Sequence, residues 1–304
     1  MKHIIFTFSF FLFLFYSHAQ IEYPLTEKKI VIDSYFDFKI EDPYRWLEDD
    51  TSNEVKEWIN KQNKLTFSYL NQIPYKKKIK KRLEELWNYE KIGTPFKEGK
   101  YTYFYKNNGL QNQYVLHRIN EEGKEEVFID PNKFSEDGTI SLAGISFSED
   151  GSLLAYSISE GGSDWRKVIV LETENKNIIG DTLLDIKFSG INWDGNKGFY
   201  YSTYEKPKNS VLSEKTDRHK LFYHKLNTSQ KNDNIIFGQK EKFRYLSGYI
   251  SKDQSYLIIS ASNETSGNNL YIKDLKKENA KLIQITYNFK SNSYITHNIG
   301  SKLY

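Results

Sequence analysis

Of the serines, Ser163 comes nearest to the context of a hydrolase nucleophile, in the run EGGSDW at 160–165. Such a serine stands on a tight strand-to-helix elbow, G-x-S-x-G, whose glycines let the backbone present Oγ to a base and to oxyanion donors. Here the second glycine is missing and both flanks read as strands, so Ser163 reads as a loop residue. No G-x-S-x-G pentapeptide occurs in the 304 residues. Histidine, the usual base, is scarce: apart from His3 and His18 near the start there are His117, His219, His224 and His297. His117 and His224 fall in predicted strands at equivalent places of a repeat, and a repeat position accounts for them without catalysis. Glu48 and Asp49 are adjacent rather than facing, which favours a helix N-terminus through its dipole. Asp150 and Asp194 each precede glycine. Such pairs supply too few oxygens for calcium, which takes about six to eight. With no H-E-x-x-H, H-x-H or phosphate-cradling glycine loop, neither a metal nor a cofactor is expected.

Composition narrows the class further. Cysteine is absent, which excludes disulfides, thiolate metal sites and a cysteine nucleophile. Lys and Arg number 43 against 40 Asp and Glu, so no bulk charge favours nucleic acid. The lysines from Lys76 to Lys81 read as the solvated face of a helix. Residues 1–19, MKHIIFTFSFFLFLFYSHA, have a basic start, an apolar run and small residues at 17 and 19. They are expected to form a signal peptide cleaved before Gln20. The apolar run, Ile4 to Tyr16, is shorter than the roughly 20 residues a spanning helix needs, and no later segment is long and apolar enough. Secretion is therefore expected, to a bacterial periplasm given the lack of cysteine.

The elements that would carry these residues divide at about residue 88. Before it, Thr51 and Glu54 have capping-box spacing, and the apolar spacing behind them predicts a helix over 52–71, which Pro74 ends. A second helix is expected in YKKKIKKRLEELWNYE at 75–90. Beyond it the pattern becomes short strands with turn clusters between them, rich in the 23 Tyr and 20 Phe of the chain, aromatics that suit pleated surfaces. Strand sets recur about every 50 residues, with Val115, Val168, Phe222 and Tyr271 at corresponding places. Four short strands per unit at that period mark a β-propeller blade. Asp-Gly turns at 150–151 and 194–195, with Asp253-Gln254 as a degenerate copy, fit hairpin turns that need positive φ. About four blades fit before Tyr287, and SYITHNIGSKLY at 293–304 reads as the start of a fifth. The expected organisation is leader 1–19, helical extension 20–88 and partial propeller 89–304. A half-built blade would leave open edges, so the chain is expected to be part of a longer protein.

Several strings together resemble the prolyl oligopeptidase family of serine peptidases: EDPYRWLEDD at 41–50, WINKQNKLTFSYL at 58–70, NNGLQNQYVLHRI at 107–119, FIDPN at 128–132, FSEDGSLLAYSISEGGSDW at 147–165 and LFYHKL at 221–226. The GLQNQ string favours the prolyl enzymes over the similar oligopeptidase B. The resemblance implies a seven-bladed propeller, of which these residues hold four blades and part of a fifth, set between the extension and a C-terminal α/β-hydrolase domain. In the family that domain carries the catalytic Ser, Asp and His, none of which is in these residues. It implies short proline-containing peptides as partners, admitted past the propeller, and a monomer. In DIKFSGINW at 185–193, it implies that Phe188 lines the substrate pocket. The residues alone left that phenylalanine equally explicable as packing between blades.

A secreted propeller module that binds peptide or protein without chemistry is the rival expectation. The module predicts a monodisperse chain that unfolds cooperatively, and the partial propeller predicts association through open strand edges. Size-exclusion chromatography combined with a thermal melt separates the two.

Overall fold

The computed structural model describes residues 21–208 and 216–304. The expected signal peptide therefore lies outside the described residues. The chain divides into two compact units, one up to Lys80 and one from Lys81.

In the first unit, strands β1 (Val31–Tyr35) and β2 (Phe38–Asp42) form an antiparallel hairpin. Helix α1 spans Asn53–Asn71. Arg45 ties the hairpin together through Asp33 and through Asp42, whose Oδ2 accepts from Nε at 2.8 Å. The Trp58 indole donates to Thr26 Oγ1 at 2.9 Å, fastening the extended segment to α1. The cap of α1 is Ser52 and not Thr51: Ser52 is extended and its Oγ accepts from the Glu54 N–H at 3.2 Å. Thr51 is already committed, its hydroxyl donating to Asp49 Oδ1 at 2.7 Å. Helix α2 (Lys76–Trp87), within which the division between the units falls, buries none of its residues, and its lysines are exposed as expected. Ile79, Leu83, Leu86 and Trp87, its apolar stripe, are each at least half exposed.

The second unit is a succession of antiparallel sheets. The first contains β3 (Lys91–Ile92), β5 (Tyr101–Asn107), β6 (Val115–Ile119) and β7 (Glu125–Ile129) in that order, with β4 (Phe96–Glu98) also on β5. The second holds β8 (Ile140–Phe147), β9 (Leu153–Glu160), β10 (Trp165–Glu172) and β11 (Ile178–Lys187). The third holds β12 (Asn192–Asp194), β13 (Gly198–Thr203), β14 (Lys220–Lys225) and β15 (Asn234–Phe237). The fourth holds β16 (Tyr245–Ile250), β17 (Tyr256–Ser262), β18 (Asn269–Asp274) and β19 (Ile283–Gln284). In the last three, each strand pairs with its neighbours in sequence, which is the blade pattern that the repeat spacing implied. A short hairpin, β20 (Asn298–Ile299) with β21 (Lys302–Leu303), stands where a fifth blade was expected to begin.

Between consecutive blades lie three apolar cores. Tyr103, Leu116 and Phe128 of the first sheet meet Leu154, Tyr156 and Leu171 of the second. Ala155, Val168, Val170 and Leu183 of the second meet Trp193, Phe199 and Tyr201 of the third. Tyr200 and Leu221 of the third meet Leu246, Leu257 and Ile259 of the fourth. Polar clamps join the same neighbours. Arg118, only 3% exposed, lies between the Tyr101 and Phe128 rings, pairs with Glu126 at 2.6 Å and donates to the carbonyls of Thr173 and Glu174 in the next blade. Gln113, in the GLQNQ string, donates to the Ile140 carbonyl at 2.7 Å and accepts from the Leu142 N–H at 3.2 Å.

The three acid turns share one end of their blades. Gly151, Gly195 and Gln254 all have positive φ, 70°, 53° and 58°. At Gly151 the demand is also steric, because a β-carbon would lie 2.3 Å from the Gly99 backbone nitrogen. Asp150 accepts from Ser148, Ser152 and, in the next blade, Asn196 at 2.7 Å. Burial pushes its carboxyl up, but the bonds from Ser152, Asn196 and Ser148 prevail and hold it down at about 2. Asp253 repeats the arrangement with Ser251, Ser255 and Asn298. These are turn acids, as the sequence implied, and no metal-binding cluster of His, Cys, Asp or Glu occurs among the described residues.

Phe199 is fully buried between the second and third blades, and Val127 is 44% exposed. Phe199→Ala should lower the unfolding free energy by about 3–5 kcal/mol, and Val127→Ala by about 0.5 kcal/mol or less, as read by urea titration.

Candidate substrate-contact site

Phe188 stands immediately after β11, at the blade end opposite the acid turns. That position depends on an irregular strand. The β10–β11 register shifts between Arg166 and Val168, whose partners are Ile186 and Leu183, so β11 carries an extra residue. A bulge of this kind bends a strand and re-aims its side chains. Within it Asp185 has φ 58°, and just beyond it Phe188 has φ 54°. A left-handed phenylalanine is strained and persists only where its surroundings over-determine it.

Those surroundings come from the third blade. The Thr203 hydroxyl donates to the Asp185 carbonyl at 2.5 Å and accepts from the Lys187 N–H at 3.2 Å. The Ser202 N–H donates to Ser189 Oγ at 2.8 Å. His219, fully buried, bridges further: its Nδ1 accepts from the Leu246 N–H at 2.9 Å, which leaves Nε2–H to donate to the Lys187 carbonyl at 3.1 Å. Burial drives the His219 pKa down to about 4, outweighing the backbone bonds at Lys187 and Ser202 that favour its charged form. Its ring stacks on Tyr204 at 4.2 Å, and the Tyr204 hydroxyl donates to the Arg244 carbonyl at 2.5 Å.

The result is a cluster of aromatic and cationic groups. The Phe188 ring is 48% exposed, with Tyr204 and Tyr245 each 6.2 Å away between centroids. Lys187 Nζ lies 5.0 Å from the Trp165 ring and 5.2 Å from the Phe188 ring, within cation–π range. The Arg244 guanidinium covers Tyr245 at 5.4 Å. An exposed aromatic backed by rings and cations offers an apolar face to a ligand and attraction to its carbonyls or carboxylates. Among the described residues, no acid–base pair or nucleophile stands within the cluster.

The other chemistry-bearing residues lie elsewhere. Ser163 occupies the β9–β10 turn, its hydroxyl accepting from the Trp165 N–H at 3.1 Å. His224 is buried against Asp233 at 2.9 Å, and the Tyr201 hydroxyl donates to the same carboxylate at 2.8 Å. His117 stacks on Phe104, with its Nδ1 2.8 Å from Glu125 but without hydrogen-bond geometry. His117 and His224 thus hold the same third-strand place in two blades. His297 stacks on Tyr304 at 4.8 Å. The bonds at Thr203, His219 and Tyr204 span the connection from β11 into later blades, and no local sequence pattern marks them.

Comparison with known proteins places this geometry in a class. Residues 23–304 match the family model described as prolyl oligopeptidase, N-terminal beta-propeller domain. The chain belongs to that family. A prolyl endopeptidase of Elizabethkingia miricola is 55% identical over 288 residues, covering 94% of this chain and 41% of the relative. One of Elizabethkingia meningoseptica is 54% identical, covering 93% and 40%. Prolyl oligopeptidase B from Galerina marginata, solved bound to a 35mer hydrolysis and macrocyclization substrate, matches with a TM-score of 0.80 at 27% identity, over 94% of this chain and 44% of that one. The chain therefore spans about 40% of the length of the relatives it matches, and what it matches is their N-terminal propeller portion.

His219 supplies a pH test of the scaffold. Its folded value of about 4 lies below the ordinary 6.5, so the unfolded chain binds the proton more readily. Stability is whole above pH 6.5 and is lost as pH falls toward 4. At about 1.4 kcal/mol per pH unit, the loss reaches about 3 kcal/mol. In urea unfolding, the advantage of the wild type over His219→Gln should shrink by about that amount between pH 7 and pH 4. A constant advantage would show that His219 does not titrate in this window.

Proposed function

We propose that this chain is the substrate-admitting portion of a secreted serine endopeptidase that cleaves short peptides after proline. The observation that carries the peptide reading is Phe188, held in a strained conformation at a blade end with its ring half exposed and supported by two tyrosines and a buried lysine. Strain kept at an exposed aromatic, where packing gains little from it, fits a ligand contact. In this reading Phe188 supplies apolar surface to a residue upstream of the cut, and the propeller excludes folded proteins. Acyl transfer to a serine, with histidine as base and a carboxylate orienting it, belongs to a hydrolase domain with which the propeller acts. The exposed apolar stripe of α2 has the character of a protein-contact surface and supports such a partnership. The leader and the lack of cysteine favour periplasmic export, and the working form in this reading is a monomer.

Two measurements test the proposal. The purified 304-residue chain should not cleave a Gly-Pro reporter, and turnover abolished by a serine-directed inhibitor would overturn the assignment of chemistry to another domain. In enzyme that includes the hydrolase portion, Phe188→Ala should raise KM for short proline peptides about tenfold, as expected for loss of about 1.4 kcal/mol of uniform binding, with kcat little changed. An unaltered KM would remove Phe188 from the substrate path.

A further inference from the structure

A second feature is built on the same segment. Between the second and third blades, toward the end that carries Phe188, lies a cavity of about 220 Å³. It exists because the packing there is made of small residues: Gly144 pairs with Ser157 across β8 and β9, Ala155 lies two residues away on β9, and all three line it. Farther along the same face, Val170, Leu183 and Phe199 fill the corresponding space. Ile186 and Ile191 give the cavity an apolar wall, and the stretch Ser189–Ile191 that follows Phe188 closes one side.

Arg166 also lines this cavity. Its guanidinium is partly withdrawn from water, and Nη1 reaches the Ala143 carbonyl only at 3.4 Å. No carboxylate among the described residues pairs with it. The two acids of the adjoining depression are taken: Glu160 is held by Lys167 at 2.5 Å and Asp185 by Lys206 at 2.6 Å. A guanidinium offers a planar fork of donors that matches a carboxylate in bidentate fashion, and partial removal from water strengthens such a pair. The cavity thus combines one unspent cation, the Ser157 hydroxyl and an apolar wall, with no acidic residue among the described residues that line it.

We propose that this inter-blade cavity is a carboxylate-binding site that receives a carboxylate of a short peptide, anchored by Arg166. That the ligand is a peptide rests on the proposed function; that it carries a carboxylate rests on the cavity itself. The segment 185–191 then serves two contacts, presenting Phe188 to one part of the peptide and walling the pocket for its charged group. Two sources supply the same chemistry, the C-terminus or an Asp or Glu side chain.

Isothermal titration of the purified chain with acetyl-Ala-Pro as the free acid, and with its C-terminal amide, tests the site without any substitution. The acid should bind at least about tenfold more tightly, a difference of about 1.4 kcal/mol. Acetyl-Asp-Pro amide identifies the source: binding like the acid assigns the side chain, and binding like the plain amide assigns the C-terminus. Arg166→Gln should erase the preference for the acid and Arg166→Lys should keep part of it, since lysine retains the charge without the fork. Equal binding of the acid, the plain amide and acetyl-Asp-Pro amide, no binding of either carboxylate-bearing ligand up to about 10 mM, or an undiminished preference for the carboxylate in a folded Arg166→Gln chain would overturn the proposal. Should that variant not fold, the acid–amide comparison on the unaltered chain decides alone. Reporter cleavage by enzyme with its hydrolase portion is a separate readout, so an empty cavity and a failed peptidase assignment give different results.

Discussion

The second unit depends on one constraint: each blade must bury both of its faces, one against the blade before and one against the blade after. Successive side chains of a strand point to opposite faces, so the stretch of a blade's second strand that lies between both neighbours must be apolar at consecutive positions. Strand β9 shows this directly. Leu154 and Tyr156 enter the core shared with the first blade, while Leu153 and Ala155 enter the core shared with the third. Strand β13 does the same, with Phe199 and Tyr201 turned one way and Tyr200 the other. A half-polar alternation would suit a sheet with one wet face. Its absence over Leu153–Tyr156 and Phe199–Tyr201 is the physical content of the repeat.

Given that stacking, the two ends of the blades are free to differ. At one end the acid turns join blade to blade: Asn196 reaches Asp150, Gln254 accepts from the Gly195 N–H, and Asn298 reaches Asp253. Each carboxylate is consumed by hydroxyl, amide and backbone donors, which leaves it little to offer a ligand. At the other end the bonds support strain instead of filling every donor and acceptor. Phe188 keeps an unfavourable backbone angle because Thr203, Ser202 and His219 fix the peptide groups on either side of it. The Asp-Gly end is thereby structural, and the end with Phe188, Lys187 and Arg166 holds the exposed or unspent groups.

The sequence carried the stacking well and the site poorly, for a physical reason. Alternation, turn residues and period are local, so the strand sets, the acid turns and the partial fifth unit were all legible in it. One of the strings that carry the family resemblance, NNGLQNQYVLHRI, supplies two inter-blade clamps: Gln113 holds the start of β8, and Arg118 grips the turn after β10. The cap lies one residue beyond the place the capping-box spacing implies, because Thr51 and Ser52 both have suitable hydroxyls and Asp49 takes the first. The supports of Phe188 were illegible. Thr203 and His219 lie 15 and 31 positions beyond it, and neither has a type or spacing that distinguishes it from a strand residue.

The bulge in β11 links these observations. An extra residue in an outer strand usually costs ladder bonds, and here it also places two non-glycine residues at positive φ. A regular β11 would continue the ladder and send the side chain at 188 along the period of the strand, into the interface or away from it. The irregular strand turns Phe188 out over Tyr204 and Tyr245 and carries Ser189–Ile191 across the mouth of the Arg166 cavity. His219 is the element that makes this tolerable, because a neutral imidazole can accept from one blade and donate to another at the same time. Protonation would remove the acceptor at Nδ1 and release Leu246. The link from Leu246 through His219 to the Lys187 carbonyl therefore holds at both ends only while that histidine stays neutral, and its complete burial is what keeps it so.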